Sequence, residues 1–160
     1  MTRVILGFVN VLFAGLFAGF LVGILVFELS LRGFDASVYA QTQQVTLVAL
    51  PVLASTLLFP ALITTGILTA LHARRRNRTF WLALVALVLL LVALVLTLAV
   101  NVPINLAEGG WSVSSPPADW AATRDRWQLG HAVRTGAALL AFGSLVLAAQ
   151  GSRRGVSSPR

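Results

Sequence analysis

Between Asn101 and Arg134 the chain concentrates Asn, Trp, Asp, Arg and His, while almost everything outside that stretch is apolar or a short basic connector. The stretch reads NVPINLAEGGWSVSSPPADWAATRDRWQLGHAVR. It leaves one apolar run, crosses a loop marked by Gly109-Gly110 and Pro116-Pro117, and enters another apolar run. A Ser115 cap followed by Pro116 predicts a helix from there towards Gln150. At about 100° per residue, Arg124, Trp127, His131 and Arg134 then share a stripe roughly 80° wide. These side chains are the parts of a proton-handling site. An imidazole such as that of His131 exchanges a proton near neutral pH. Arg134 could hold an enolate or phenolate oxygen, and Asn101 and Asn105, one turn apart, could donate hydrogen bonds to it. Trp127 and Arg124 would line the substrate.

A third ionisable group belongs with them. Glu28 closes the first apolar run, and Asn10, Phe13, Phe17, Leu21 and Ile24 share its helix face. A carboxylate avoids lipid, so this face is expected to point into a bundle, with Glu28 within reach of Arg134 or His131. The other reading leaves Glu28 in the headgroup layer facing water. A metal centre is not expected: His72 and His131 fall at opposite ends of the apolar runs, and His131 with Glu28 and amide oxygens is a thin ligand set. No HExxH, phosphate loop or nucleophile–base spacing occurs, and with no Cys there are no disulfides, thiolate sites or Fe–S clusters. No cofactor is expected.

Two local patterns carry a resemblance. N-V-P-I-N at Asn101, followed by a Trp-bearing loop and R-x-R-W-x-x-x-H-x-x-R from Arg124 to Arg134, is similar to the anthrone oxygenase-like family of small membrane proteins. The first apolar run, ending in Val26-Phe27-Glu28, looks like that family's first helix, although Leu29-Ser30 stand where many members carry a His-Pro pair. The resemblance implies a four-helix membrane protein. For a minority of the family it implies oxidation of anthrones to anthraquinones, in which a deprotonated, electron-rich substrate reacts with oxygen without a cofactor.

The elements that must position these groups follow from composition. The chain has 160 residues, 58% of them apolar and 11% charged, more apolar surface than a soluble domain could hide. Four apolar runs predict membrane helices at about residues 4–29, 46–71, 80–100 and 117–150, joined into an all-α, antiparallel up-down bundle that forms one domain, residues 1–150. Residues 151–160 read as a disordered cytoplasmic tail. Val38-Tyr39-Ala40 could pass for a signal-peptidase site, but the preceding run far exceeds a signal sequence's apolar core. Residues 30–45 read as a polar loop, and Pro51 and Pro60 are expected to bend the second helix. Thr56, Thr64, Thr65 and Thr69 are available to freed carbonyls. The third run is expected to be lipid-facing filler in which only Thr97 is polar. Gly15, Gly19 and Gly23 make a smooth ridge for close packing within the bundle or across a homodimer.

All twelve basic residues are Arg and the formal charge is +7. The arginines flank apolar runs, so membrane orientation explains them and nucleic acid does not. With both termini cytoplasmic, Arg3, Arg74, Arg75, Arg76, Arg78, Arg153, Arg154 and Arg160 lie inside, against Arg32, Arg124, Arg126 and Arg134 outside. A multi-pass cell-membrane protein with its polar stretch on the extracytoplasmic side is the expectation.

Two functions fit. One is a cofactor-independent oxygenase of a lipophilic aromatic molecule, working at the outer rim. The other is a non-catalytic membrane protein or partner subunit whose polar rim sets helix packing, with the tryptophans as interfacial anchors and Arg134 snorkelling to headgroups. A transporter is a poorer fit, since one rim carboxylate in four helices makes a weak translocation path.

Overall fold

In hydrocarbon a backbone must satisfy its own polar groups, so long runs of Leu, Val and Ala fold as helices. The computed structural model describes the backbone of residues 2–154 and the side chains of residues 4–150. Its helices are α1 (Thr2–Ser30), α2 (Ala36–Thr46), α3 (Leu50–His72), α4 (Arg78–Leu96), α5 (Val102–Gly109) and α6 (Trp120–Arg154). Four segments are long and apolar enough to cross a membrane: Val4–Gly33, Leu50–His72, Arg78–Gly109 and Trp120–Gln150. Of the tail expected over 151–160, residues 155–160 lie outside the described residues.

The four spans close a ring in which α1 packs on α3 and α6, and α4 packs on the same two helices. This is the antiparallel up-down bundle that the apolar runs predict. Alanines let the backbones approach: Ala14, Ala18, Ala61, Ala86, Ala93, Ala138 and Ala141 fill the centre around Phe17, Leu21, Leu58, Leu90 and Leu145. Large apolar side chains such as Val4, Phe8, Val48, Ile63 and Leu140 face outward, towards lipid. The face of α1 expected inside is inside: Asn10, Phe17, Leu21 and Glu28 are all buried. Asn10 Nδ2 donates to Thr64 Oγ1 (3.0 Å) and Thr65 Oγ1 (2.7 Å), tying α1 to α3 in the half of the bundle that carries the amino terminus.

Local departures from the sequence reading follow from backbone chemistry. Residues 36–46 are a helix, not a loop: Asp35 Oδ1 accepts from the Ser37 and Val38 N–H groups, both at 3.0 Å, which caps α2. Pro51 does not bend a helix; it lies in the first turn of α3, where its missing N–H is not needed. Pro60 is the proline inside α3. Helix α6 begins at Trp120, not after Ser115. Pro117 disfavours helical geometry at Pro116, and a Trp120 N–H to Pro117 carbonyl turn (3.1 Å) precedes the helix.

Pro103, in the first turn of α5, has no N–H to offer the Ala99 carbonyl. The chain answers by widening: Thr97–Asn101 is a π-helical segment, and the Val102 N–H reaches back to the Thr97 carbonyl. The glycine ridge turns largely outward. Only at Gly15 would a Cβ meet a neighbour, the Phe142 ring at 2.9 Å, and none lies within 4 Å at Gly19 or Gly23 among the described residues.

Candidate functional site

The expected stripe does come together, but deeper than the rim. His131 Nε2 lies 2.9 Å from the Leu21 carbonyl, and Arg134 Nη1 donates to Thr97 Oγ1 at 3.0 Å. Leu21, Thr97 and Arg134 each sit near the middle of their apolar spans. The cluster therefore lies close to the centre of the bundle. Because α6 starts at Trp120, Arg134 is about four turns into the helix, too deep to count among the outer arginines.

Hydrogen-bond direction fixes the state of His131. A carbonyl only accepts, so Nε2 carries the hydrogen. Arg134 Nε (3.0 Å) and Nη2 (2.7 Å) both address Nδ1, and a guanidinium only donates, so Nδ1 is the lone pair. His131 is a neutral imidazole whose basic nitrogen is covered by Arg134. Trp127 stacks on its other flank, with ring centroids 4.9 Å apart and planes at 10°, and the Arg134 guanidinium lies 5.6 Å from the Trp127 ring. Trp127 is itself gripped twice: Nε1 donates to Asn105 Oδ1 (2.6 Å), and Asn101 Nδ2 donates to the Trp127 carbonyl (3.1 Å). The two asparagines thus hold Trp127 in place. Gly130 is what allows this approach, since a Cβ there would sit 3.0 Å from Val100 Cγ1 and 3.4 Å from Asn101 Oδ1.

Glu28 pairs with neither Arg134 nor His131, contrary to the expectation from sequence. Arg134 and His131 meet α1 at Leu21, two turns from Glu28, a separation of about 10 Å along the axis. Glu28 Oε1 instead accepts from Gln43 Nε2 (2.7 Å), and Gln128 Nε2 donates to the Glu28 carbonyl (2.8 Å). Arg124 leaves the stripe as well. It donates to Asp125 Oδ1 (3.1 Å) and lies 4.9 Å over the Trp120 ring. Arg32 shares that carboxylate (3.0 Å) and donates to Gln128 Oε1 (2.6 Å). Among the described residues the ion pairs are these two, Arg32 and Arg124 on Asp125.

This second layer, at the end of the bundle that α2 covers, was largely missed from sequence. Tyr39 donates to Glu108 Oε1 (2.9 Å), and both side chains are fully buried. Burial first, then the Glu108 and Glu28 charges, push the Tyr39 phenol up, which keeps it a donor. Trp111 and Trp120 pack on Tyr39 with centroids 6.3 and 5.6 Å away. Among the described residues three buried side-chain oxygens have no hydrogen-bond partner: Glu28 Oε2, Glu108 Oε2 and Asn101 Oδ1. No three His, Cys, Asp or Glu side chains gather among the described residues.

A groove of about 590 Å³ opens beside the polar layers, between the π-segment, α5 and the start of α6; Val100, Pro103, Ile104, Trp111, Thr123 and Arg126 are among its walls. Neither His131 nor Trp127 lines it. One residue separates the two environments, since Val100 faces the groove while Asn101 is fully buried against Trp127. Thr97, read from sequence as the one polar residue of a filler helix, is the Arg134 acceptor. Its place four residues, about one turn, before Asn101 gave no sign of that.

The family model for anthrone oxygenase matches residues 34–144 of the chain. No curated protein and no solved structure matches it.

Proposed function

Since the chain belongs to the anthrone oxygenase family, we propose that it oxidises a lipophilic, electron-rich aromatic molecule within the membrane. One observation carries this reading. Arg134 is a buried cation near the middle of the bundle whose hydrogen bonds go to a neutral imidazole and a hydroxyl. A charge at that depth costs several kcal/mol or about that order without an opposite charge, so the cluster favours an anion. An enolate or phenolate oxygen is such an anion. When the guanidinium moves onto it, His131 Nδ1 is uncovered and can accept the substrate's C–H proton. The resulting carbanion takes up O2, and the hydroperoxide loses water to leave a carbonyl, so that one CH2 and one O2 give one C=O and one H2O. Trp127 stacks on the ring system or makes room for it, and the groove behind Val100 is the way in from the bilayer.

Cytoplasmic termini, with the end of the bundle that α2 covers on the extracytoplasmic side, rest on arginine placement: with Arg134 buried, Arg32, Arg124 and Arg126 remain on the outer side. Gly19 and Gly23 leave a smooth outward strip that a second copy could cover. The test is oxygen uptake and quinone absorbance by the purified protein in lipid nanodiscs supplied with an anthrone. Turnover that disappears in His131→Gln supports the reading, and an absence of turnover in the intact protein removes it.

A second reading is favoured by how completely the cluster is closed. His131 has both nitrogens engaged, is fully buried and does not line the groove, as a packing lock between α1, α4 and α6 would be. On that reading His131→Gln and Arg134→Met lower the melting temperature, and no aromatic substrate is consumed.

A further inference from the structure

The outer layer holds two carboxylates that the oxidation reading does not use. Glu28 is 2% exposed and Glu108 is fully buried. Each has one oxygen served by a neutral donor, Gln43 for Glu28 at 2.7 Å and Tyr39 for Glu108 at 2.9 Å. Each has its other oxygen, Oε2, buried with no partner. The two donors are not independent. Tyr39 and Gln43 are four residues apart on the same buried face of α2, so their Cβ atoms stand roughly 6 Å apart and the carboxylates they address lie against one face of α2. The Tyr39 phenol feels both negative charges.

Buried acids are ordinarily matched by a cation or a full set of donors. The arginines of this layer bond to neither carboxylate: Arg32 and Arg124 direct their hydrogen bonds to Asp125 and Gln128, and Arg124 reaches the Tyr39 hydroxyl only through its charge. Arg134 is two turns deeper, committed to His131 and Thr97. The remaining oxygens nearby are neutral: the Tyr39 hydroxyl and the Gln43 amide, whose nitrogen is already given to Glu28. Two carboxylates with neutral oxygen donors and no nitrogen or sulfur make a hard-cation donor set, and the charge of two carboxylates equals that of one divalent ion.

We propose that Glu28 and Glu108, roofed by Tyr39 and Gln43 of α2, form a binding site for a hard divalent cation. The ion takes Glu28 Oε2 and Glu108 Oε2, supplies the charge the layer lacks, and clamps α2 and α5 to the end of α1. The site is separate from the His131 cluster and stands whether or not the chain oxidises an aromatic substrate.

Mn2+ is the probe. Purified protein in nanodiscs of neutral lipid, stripped with chelator and titrated at pH 7, is followed by loss of the free-Mn2+ electron paramagnetic resonance signal and by melting temperature. The expected result is one site per chain, displaced by excess Mg2+ or Ca2+, with melting raised by Mn2+. Glu28→Gln and Glu108→Gln keep an oxygen for Gln43 and Tyr39 to address, so both variants retain the fold, checked by circular dichroism. Each is expected to weaken Mn2+ binding at least tenfold. Asp125→Asn, at the exposed ion pairs, is expected to leave it unchanged. No binding to folded wild-type protein overturns the proposal, and so does binding that both Glu variants retain. Variants that melt higher than wild type with no Mn2+ effect in either show instead that the carboxyls hold their own protons.

Discussion

The central cluster and the layer under α2 both bury charge, yet they solve the problem in opposite ways. In the centre the charge is positive and each nitrogen of the guanidinium has a partner: Nε and Nη2 address His131 and Nη1 addresses Thr97. Under α2 the charges are negative and each carboxylate is half served, with an oxygen left bare. If stability alone had shaped the bundle, Glu28 and Arg134 would stand at one level and neutralise each other. Instead two helical turns of α1 separate Leu21, where the central cluster docks, from Glu28. Net charge of one sign is thus retained in each layer, which is a poor arrangement for packing and a suitable one for binding ions of opposite sign.

The sharpest way to break the comparison is to remove the central cation. In Arg134→Met the length is kept and the charge lost. Removing an unpaired charge at this depth relieves a cost of about 3 kcal/mol, whereas uncovering His131 Nδ1 costs about 1–3 kcal/mol. The expected result is a melting temperature close to wild type together with at least a hundredfold loss of substrate oxidation. A large loss of stability with the charge gone would make Arg134 a packing residue and end the contrast between the layers.

The next effect separates the clusters sterically. Gly130→Leu places a side chain where a single Cβ already meets Val100 at 3.0 Å and Asn101 at 3.4 Å. It should push α6 from the π-segment, break the Asn101 grip on Trp127 and cost about 1–3 kcal/mol by overpacking. The layer under α2 lies beyond this contact, and its Tyr39–Glu108 bond should persist. Denaturation monitored by Trp fluorescence and hydrogen exchange of α2 tests the two halves of that statement.

On the other layer, Tyr39→Phe removes the one donor that serves Glu108 and leaves both of its oxygens bare. The expected loss is about 1–3 kcal/mol, and a divalent ion should recover part of it if Glu28 and Glu108 bind one. A loss of similar size in Thr97→Val would show that the two layers depend on their neutral partners alike. A smaller one is expected, because the Arg134 guanidinium keeps two bonds to His131.

These contrasts explain what the sequence could and could not disclose. The spans, their antiparallel order and the inward face of α1 rest on apolar runs and helical spacing, which are local properties. So does the meeting of Trp127, His131 and Arg134, which are three and four residues apart on one helix. Depth is not local. Placing the polar stretch, His131 and Arg134 included, at the outer rim made pairing with Glu28 look natural. The start at Trp120 and the register of α1 on α6 settle the depth, and neither is written in the spacing. Partners brought from distant segments were hidden as well. Glu108 finds Tyr39, and Glu28 finds Gln43, only because residues 36–46 form a helix. That segment is short and polar, and its cap at Asp35 was its clearest signal. Pro103 advertised a disturbance but not the π-segment that aims Asn101 inward.

The cap of α2 gives the smallest effect and a clean sign. The Val38 N–H first, then the Ser37 hydroxyl, hold the Asp35 carboxyl below its ordinary range. A carboxyl with a folded pKa below its unfolded one contributes stability above the unfolded value, about 3.9, and loses it as pH falls through the folded value. The protection of α2 amides, taken relative to the intrinsic exchange rate at each pH, is therefore expected to fall as pH is lowered from about 4, while α3 and α4 stay protected. Glu28 and Glu108 also face α2 through Gln43 and Tyr39, so the contribution of Asp35 has to be told apart from theirs. Asp35→Asn separates them, since its carbonyl still accepts from Ser37 and Val38 but does not titrate over that interval. If the acid response of α2 is unchanged in Asp35→Asn, the response comes from the buried carboxylates. If it is diminished, the cap accounts for the difference, and the remainder measures how firmly Tyr39 and Gln43 hold α2 once Glu28 and Glu108 are protonated.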